Sequence, residues 1–319
     1  MGLAVGYLAD VLFADPRRGH PVAVFGSAAS AVERLTYRDH RPAGVAHVVL
    51  LLGALGALGV TAERMAARRG PGWTAVVTAA STYVVLGGTS LARAGSDMAE
   101  ALEAADVERA RALVPSLCGR DPQSLDEAGI ARATVESVAE NTSDAQVAPL
   151  WWGALAGVPG LLVYRGANTL DAMIGHRSPR YTRFGWAAAR VDDVMNHEPA
   201  RVTGILVAVC APAVGGSPRS VLRAWRRDAS RHPSPNAGVA ESAFAGALGV
   251  QLGGPTQYAH RLELRPTLGD GPGPRRDDIG RSVRLSRVVQ SVAAGAAVLV
   301  SAVCRSGRRA SALRWAAPT

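Results

Sequence analysis

Residues Ala43–Ala62 read AGVAHVVLLLGALGALGVTA, an apolar run of 20 residues with one histidine and no charged side chain. A helix of about 20 apolar residues matches the thickness of the hydrocarbon core of a bilayer. Two more stretches, Trp73–Ala92 and Val288–Cys304, are similarly apolar. The sequence therefore predicts an all-α fold, that of a multi-pass α-helical integral membrane protein.

Two further apolar segments are short or interrupted. Val147–Val163 contains Gly157, Pro159 and Gly160, and Val202–Gly215 has only about 14 residues, a length more typical of a re-entrant or buried helix. Non-helical backbone at membrane depth is tolerated where it lines a cavity. Each segment is therefore either a span or a re-entrant piece, and we predict broken helices around a polar site.

The whole chain, residues 1–319, reads as a single membrane domain. No internal repeat is visible, and the alternation of polar and apolar residues that is typical of strands is rare. Residues 305–319 form an arginine-rich tail suited to a cytoplasmic membrane surface. We expect a location in the cell membrane, among membrane lipids, with the polar site facing the cytoplasm.

The charged residues exclude several function classes. The formal net charge is +9, and all 35 basic residues are arginine. Without lysine, the chain can form neither a Walker A phosphate loop nor a Schiff base. The arginines occupy loops between apolar segments, as the positive-inside rule predicts, and no DNA- or RNA-binding motif accompanies them. We therefore expect no nucleic-acid partner.

An acidic cluster precedes the first interrupted segment. Glu136, Glu140 and Asp144 follow one another at four-residue intervals, so in a helix they would stack on one face. Stacked carboxylates repel one another unless a cation or a cationic substrate binds there. The alternative is a solvated, acidic start to a membrane helix.

A second polar cluster follows that segment. Arg177, Arg180 and Arg183 recur every three residues, so their guanidinium groups share a face that suits phosphate or carboxylate. The alternative is a positive loop at the membrane surface. Asp192 and Asn196 lie one helical turn apart, and with Asp193 they offer oxygen ligands for Mg²⁺.

A third cluster contains Ser234 and Asn236 and leads into an apolar helix. Gly238, Ser242 and Gly246 then repeat every four residues. Such a stripe of small residues predicts close contact with a neighbouring helix.

Three stretches resemble the CobD/CbiB family of adenosylcobinamide-phosphate synthases, which are integral membrane proteins of cobalamin biosynthesis. They begin at Gly6 (GYLADVLFADPRRGHPV), at Glu136 (ESVAENTSDAQVAPLWWGALAGVPGLLVYRGANTLDAMIGHRSPRYTRFGWAAARVDDVMNHEPAR) and at Ser230 (SRHPSPNAGVAESAFAGALGVQLGG). The resemblance extends from about Gly6 to Gly254 and is weakest over Ala43–Pro115.

The resemblance implies a ligase reaction. A propionate carboxylate of adenosylcobyric acid is joined by an amide bond to (R)-1-aminopropan-2-ol or to its O-phosphate, aminopropanol phosphate. It also implies ATP and Mg²⁺ as cofactors, although the chain has no P-loop. Other late cobalamin-pathway enzymes are expected partners.

The resemblance implies roles for the clustered residues. Glu136, Glu140 and Asp144 are the expected catalytic group, because they can attract the ammonium group and one can take its proton. The expected substrate-binding residues hold the corrin amides, the phosphate or the carboxylates; they are Asn141, Thr142, Asn168, Asp171, Arg177, Arg180, Arg183, Ser234 and Asn236.

Two other functions compete with this interpretation. A corrinoid transporter or a membrane scaffold for the late pathway also fits polar clusters at broken spans, although the inverted repeat typical of many transporters is not visible. A CDP-alcohol phosphotransferase fits less well, since Ala172 replaces a glycine of that motif and Ala189 replaces its third aspartate.

Overall fold

The computed structural model describes residues 1–15, 19–176, 178–258 and 261–315. Its residues group into two compact units. Unit 1 comprises Met1–Leu86, Ala148–Met195 and Ala293–Thr319; unit 2 comprises Gly87–Val147 and Asn196–Val292. That the whole chain acts as one membrane domain stays a prediction.

The described chain is almost entirely helical, as the sequence predicted. Its longer elements are α1 (Gly2–Phe13), α2 (Pro21–Thr36), α3 (Arg41–Arg69), α4 (Pro71–Val85), α5 (Gly88–Glu103), α6 (Val107–Leu113), α7 (Glu127–Thr142), α8 (Ala148–Leu170), α9 (Tyr181–Phe184), α10 (Trp186–Cys210), α11 (Pro218–Asp228), α12 (Ala237–Leu248), β1 (Leu252–Tyr258), β2 (Arg261–Leu268) and α13 (Arg276–Trp315). Two π-helical turns, Ser143–Val147 and Asp171–Gly175, follow α7 and α8.

Four stretches in the described part of the chain are long and apolar enough to cross a membrane: Arg41–Arg69, Pro71–Glu103, Glu127–Gly175 and Arg276–Cys304. The three predicted spans lie within the first, second and fourth of them, which confirms a multi-pass helical membrane protein. The second stretch is not one continuous helix, however, because Leu86 adopts an extended backbone between α4 and α5.

The two apolar segments that the sequence left as either spans or re-entrant pieces differ from each other in the structure. Val147–Val163 belongs to the long stretch Glu127–Gly175, but Gly157 breaks the helical geometry of α8 with a φ of 64° and a ψ of −145°. Only glycine adopts such a conformation without strain. Val202–Gly215 corresponds to the end of α10 and a short 3₁₀ turn, and α10 is not among the four candidate spans. The predicted broken helix is therefore confirmed for α8.

Histidine side chains fix the starts of two helices in unit 1. The Nδ1 atom of His20 accepts a hydrogen bond from the backbone N–H of Val22, and that of His40 accepts one from Ala43. Each histidine is followed within two residues by a proline, which is compatible with the first helical turn. These caps set where α2 and α3 begin.

The core of unit 1 forms where α2, α3, α8 and the following segments meet. Its buried side chains include Val48, Leu51, Leu170, Ile174 and Phe184. The helices α3 and α8 approach closely at Gly59, where an added Cβ would lie 2.7 Å from the Cα of Pro159. A small residue at this position is therefore needed for the contact.

Unit 2 is organised around α12, in which all twelve residues are buried. It packs against α7, α11 and the β-hairpin. At Gly246 an added Cβ would lie 2.7 Å from the backbone oxygen of Ser220, at the start of α11. The predicted close contact at the small-residue stripe is thus confirmed.

An antiparallel hairpin of β1 and β2 is the one pair of strands in the described residues, and the sequence did not predict it. Gly253 and Gly254 have positive φ values of 82° and 85°, and the register shifts between Leu252 and Gly254. Because this bulge places two glycines and a proline at the start of β1, the alternating pattern typical of strands is lost.

Asp228 connects the end of α11 to the end of the hairpin. Its buried carboxylate accepts two hydrogen bonds of 2.7 Å from Arg227 and one of 2.9 Å from the backbone N–H of Gly269. Burial alone would raise the pKa of Asp228, but these hydrogen bonds and the charges of Arg227 and Arg231 together lower it.

We expect Asp228→Asn to lower the free energy of unfolding at pH 7 by about 1.5–3 kcal/mol, the usual contribution of hydrogen bonds to a charged group. The folded-state pKa of Asp228 lies below the unfolded value of about 3.9. The stabilisation is therefore present above that value and is lost as the pH falls through the folded-state pKa.

Thermal denaturation of both proteins in detergent, from pH 7 downward, measures this effect. The difference in Tm should shrink at acid pH, and a difference independent of pH would contradict the role assigned to the charge. Asp270→Asn is the control, because Asp270 is the exposed second partner of Arg227 and should contribute little.

Candidate functional site

Glu136 forms a buried ion pair in unit 2. Its Oε2 atom accepts a hydrogen bond from Arg120, which precedes α7, and both side chains are at most 5% exposed. Its Oε1 atom accepts a 2.7 Å hydrogen bond from the backbone N–H of Gly253 in the hairpin. Both oxygens of Glu136 therefore already have protein donors, and they tie α7 to the loop before it and to β1.

Glu241 is the buried carboxylate in the middle of α12. Its Oε1 atom lies 3.5 Å from Nε2 of His232 and 3.8 Å from Nη1 of Arg265, which belongs to β2. Neither oxygen has a hydrogen-bond partner among the described residues. A buried carboxylate without hydrogen bonds is costly, so this arrangement needs a function or a ligand to explain it.

His232 reaches Glu241 because Gly238, the second residue of α12, has no side chain. An added Cβ at Gly238 would lie 2.6 Å from the Cβ of His232. The Nδ1 atom of His232 is 3.1 Å from the backbone nitrogen of Ser234. Where that N–H donates to Nδ1, the proton of the neutral imidazole is on Nε2, the atom that faces Glu241.

Burial determines the charge states of this pair. It raises the pKa of Glu241 well above its usual range, and the negative charges of Glu136 and Glu140 raise it further, against the opposing effects of Arg265 and Arg120. Burial likewise lowers the pKa of His232. The helix α12, at 12 residues, is too short to cross a bilayer, so both groups lie outside the candidate spans.

Glu140 is the accessible member of the group. It lies one turn after Glu136 on α7, has an exposed side chain, and interacts electrostatically with Arg265, Glu136 and Arg120. We call these residues the central ionic cluster: Arg120, Glu136, Glu140, His232, Glu241 and Arg265. It combines carboxylates that attract a cation with guanidinium groups that attract a carboxylate.

Arg120, the buried cation of the cluster, also has an unused donor. The Nη1 atom of Arg120 is buried and has no hydrogen-bond partner within the described part of the chain. A donor without an acceptor and a carboxylate without a donor therefore occur together in one cluster. Such a pair suits one ligand that carries both a carboxylate and an ammonium group, or two ligands that carry one of these groups each.

Comparison with known proteins identifies the family. A protein named cobalamin biosynthesis protein CobD from Mycobacterium tuberculosis (strain ATCC 25618 / H37Rv) is 61% identical over 299 residues, which cover 94% of each chain. Proteins of the same name from Chromobacterium violaceum and Rhodobacter capsulatus are 41% and 42% identical, with coverage of 94% and 89% of this chain and 97% and 89% of theirs. The profile of the CobD/Cbib protein family matches residues 3–286.

The chain belongs to the CobD/Cbib family. This membership supports a role in cobalamin biosynthesis and confirms the resemblance drawn from the sequence. No solved structure matches this chain.

The acidic cluster of this CobD/Cbib protein is not one uniform helical face. The helix α7 ends at Thr142, and Asp144 lies in the π-helical turn that follows. Thr142 is buried and donates to the backbone oxygen of Val138. Asn141 is half-buried and donates to the backbone oxygen of Ser137. Asp144 therefore lies where the helix changes from α to π geometry, and the catalytic and substrate-binding roles of the cluster stay predictions.

The predicted arginine face lies in unit 1. Arg180 donates a 2.8 Å hydrogen bond to Glu33, and its guanidinium lies 4.1 Å from the ring centre of Tyr37. Arg183 lies 3.7 Å from Asp39, and Arg177 lies outside the described residues. A phosphate at Arg180 or Arg183 would compete with these carboxylates, and the phosphate-binding role stays a prediction.

The predicted Mg²⁺ ligands lie on α10. Asp192 is buried and its Oδ1 atom accepts from Asn168 at 3.4 Å, while Asp193 pairs with Arg190 at 3.3 Å. Asn196 is also buried, and Asp171 is half-buried in the second π-helical turn. Among the described residues, no three histidine, cysteine or acidic side chains form a metal site. Since Mg²⁺ often uses one or two carboxylates plus phosphate, the oxygens of Asp192 and Asp193 still match its ligand preference.

The two predicted residues before α12 make contacts within the protein. The Oγ atom of Ser234 accepts from the backbone N–H of Ala237 at 3.2 Å. The Oδ1 atom of Asn236 accepts from Arg201 at 2.7 Å. These contacts shape the entry to α12, and the binding of corrin amides by both residues stays a prediction.

The central ionic cluster includes residues that sequence reasoning did not select. Glu241 is the one carboxylate in the apolar stretch Ala237–Leu248, and an isolated charge of this kind is itself a signal of function. Arg120 and Arg265 carry no such signal, because only the tertiary fold brings them to Glu136 and Glu241.

Proposed function

We propose that this CobD/Cbib protein is a cobalamin-biosynthesis enzyme that forms an amide bond. Its substrates would be adenosylcobyric acid and (R)-1-aminopropan-2-ol or the O-phosphate of that amine. Family membership supports the pathway, and the central ionic cluster supports the reaction type. The observation that carries the proposal is that Glu241, whose oxygens have no hydrogen-bond partner among the described residues, and Arg120, whose Nη1 likewise has none, belong to the same ionic cluster.

The two halves of the cluster match the two reacting groups. A substrate carboxylate carries negative charge, which the guanidinium groups of Arg120 and Arg265 would neutralise. The amine arrives as an ammonium ion, which the exposed carboxylate of Glu140 would attract, and the unpaired oxygens of Glu241 would accept hydrogen bonds from it. Bringing the two together removes much of the entropic barrier to a bimolecular reaction.

Amide formation also requires proton transfer. As the amine nitrogen bonds to the carboxyl carbon, one C–O bond of the activated carboxyl group breaks and the nitrogen loses protons. Glu140 is the accessible carboxylate, so it would accept a proton. Glu136 would serve as a positioning residue, since both of its oxygens are held by Arg120 and Gly253.

The activation of the carboxylate is assigned to Mg-ATP. ATP would supply the phosphoryl or adenylyl group that turns a carboxylate oxygen into a leaving group. Asp192, Asp193 and Asn196 would hold Mg²⁺. The chain has no lysine, so any phosphate of ATP would be held by arginine, backbone N–H groups or the metal.

We also propose the setting in which the enzyme works. The candidate spans support a membrane location, and the arginine-rich end of the chain supports a cell-membrane protein whose site faces the cytoplasm. Soluble corrinoid and amine substrates would reach the site from that side. Other late cobalamin-pathway enzymes would then be partners at the same membrane.

A product assay in detergent tests the proposal. We expect purified protein, adenosylcobyric acid, aminopropanol phosphate and Mg-ATP to give a corrinoid whose mass increases by that of the amine minus water. Omitting ATP or adding a chelator should abolish the increase. A gain without ATP would contradict the assigned activation, and corrinoid binding without any product would favour a transporter or scaffold.

A further inference from the structure

A second polar feature of unit 2 lies beside the central ionic cluster. A cavity of about 460 Å³ opens between α10, α11 and the residues that lead into α12. The residues that line it include Arg201, Trp225, Arg226, Ser230, His232 and Pro235. We call this cavity the α11 pocket.

The charge of the α11 pocket is positive. Arg201 and Arg226 line it, and none of the described residues that line it is acidic. Arg201 is half-buried, and its Nη1 atom donates to two uncharged acceptors, Asn236 Oδ1 at 2.7 Å and the backbone oxygen of His197 at 2.9 Å. Burial lowers the pKa of Arg201, and the charge of Glu198 opposes this in part. The pocket therefore presents guanidinium charge that its own lining does not neutralise.

The remaining walls of the pocket are mostly apolar. Trp225, Pro235 and Val239 contribute to them, and the hydroxyl of Ser230 adds a polar group. A site with a cationic end and an apolar wall suits an anion that carries a small organic group. Two guanidinium groups match the charge of a phosphate monoester better than that of a single carboxylate.

We propose that the α11 pocket binds the phosphate group of a phosphate monoester, held by Arg201 and Arg226 with its organic part against Trp225. His232 lines the pocket, and its Nε2 atom lies 3.5 Å from Glu241. An amine at the other end of a short ester would therefore lie near the central ionic cluster. The inference rests on the proposed function, and within it Arg201 and Arg226 are the residues that would bind the phosphate end of a phosphorylated amine.

Binding measurements in lipid-free detergent test the pocket without any need for catalysis. The probes are inorganic phosphate and O-phosphoethanolamine, and ethanolamine, which lacks the phosphate group, is the comparison. The binding of each to the full chain is measured by calorimetry. We expect phosphate and O-phosphoethanolamine to bind and Arg201→Gln or Arg226→Gln to weaken binding about 10- to 100-fold, the effect of losing a hydrogen bond between charged groups.

Arg223→Gln is the matched control. Arg223 is exposed on α11, one turn before Arg226, and does not line the pocket. An equal loss of affinity in Arg223→Gln and Arg201→Gln would overturn the proposal, because it would indicate only a general effect of positive charge around the pocket. Unchanged melting temperatures in detergent establish that the variants are folded.

Three further outcomes separate the source of the phosphate from the reaction. If phosphatidylglycerol in mixed micelles displaces O-phosphoethanolamine, and the soluble probes alone bind no better than ethanolamine, the pocket takes a lipid headgroup and the soluble-ester assignment is overturned. If the wild-type protein binds phosphate but forms no product, the proposed function fails while the pocket stands. If Arg201→Gln uses free and phosphorylated amine as the wild type does, the pocket assignment fails while the reaction stands.

Discussion

Glu136→Ala should destabilise the protein by about 3–5 kcal/mol, the usual effect of leaving one partner of a buried ion pair without the other. Arg120 would keep its charge in a site where both side chains are at most 5% exposed. The backbone N–H of Gly253 would also lose its acceptor, so the hairpin would lose one contact with α7. Thermal denaturation in detergent should show a fall in Tm of roughly 10 °C.

Two variants separate this effect from a general loss of charge. Glu108→Ala removes a carboxylate from an exposed pair with Arg111, where the glutamate side chain is 76% exposed, and should cost less than about 1 kcal/mol. The double variant Arg120→Leu/Glu136→Leu removes both charges of this pair and should lose only about 1–3 kcal/mol for the unpaired Gly253 N–H. A double variant as unstable as Glu136→Ala would contradict the ion-pair explanation.

The membrane helices were predictable because hydropathy is local. Twenty apolar residues at Ala43–Ala62 require a bilayer or a large core to cover them, whatever the rest of the chain does. The broken α8 was predictable for the same reason, since Gly157 and Pro159 interrupt an apolar run. The hairpin was not predictable, because it depends on contacts from elsewhere in the chain: Glu136 binds Gly253, and Arg132 binds the backbone oxygen of Pro255.

The candidate site was predictable only in part. The density of polar residues around Glu136 and Glu140 indicated α7, and the polar run before α12 indicated the neighbourhood of His232. The division of roles needed the tertiary structure, because sequence spacing makes Glu136 and Glu140 equivalent. In the fold, Arg120 and Gly253 occupy both oxygens of Glu136, whereas Glu140 remains exposed.

Glu140→Gln should lower kcat for amide formation about 10²- to 10⁴-fold, the usual contribution of a group that transfers a proton in the transition state. The KM for the corrinoid should change far less, because glutamine keeps the size and much of the hydrogen bonding of glutamate. Glu127→Gln is the control, since Glu127 is an exposed carboxylate in the first turn of the same helix. Its kcat should remain near that of the wild type.

The conservative variant decides between proton transfer and simple attraction of the ammonium ion. Glu140→Asp keeps the charge but withdraws the carboxylate by one methylene group, so a proton acceptor should lose much of its kcat while an electrostatic attractor should lose little. If Glu140→Gln instead raises the KM for the amine and leaves kcat unchanged, Glu140 binds the ammonium group and does not take its proton. In that case the proton goes to another group, and the pair of His232 and Glu241, whose nearest side-chain atoms are 3.5 Å apart, is the remaining candidate in the central ionic cluster.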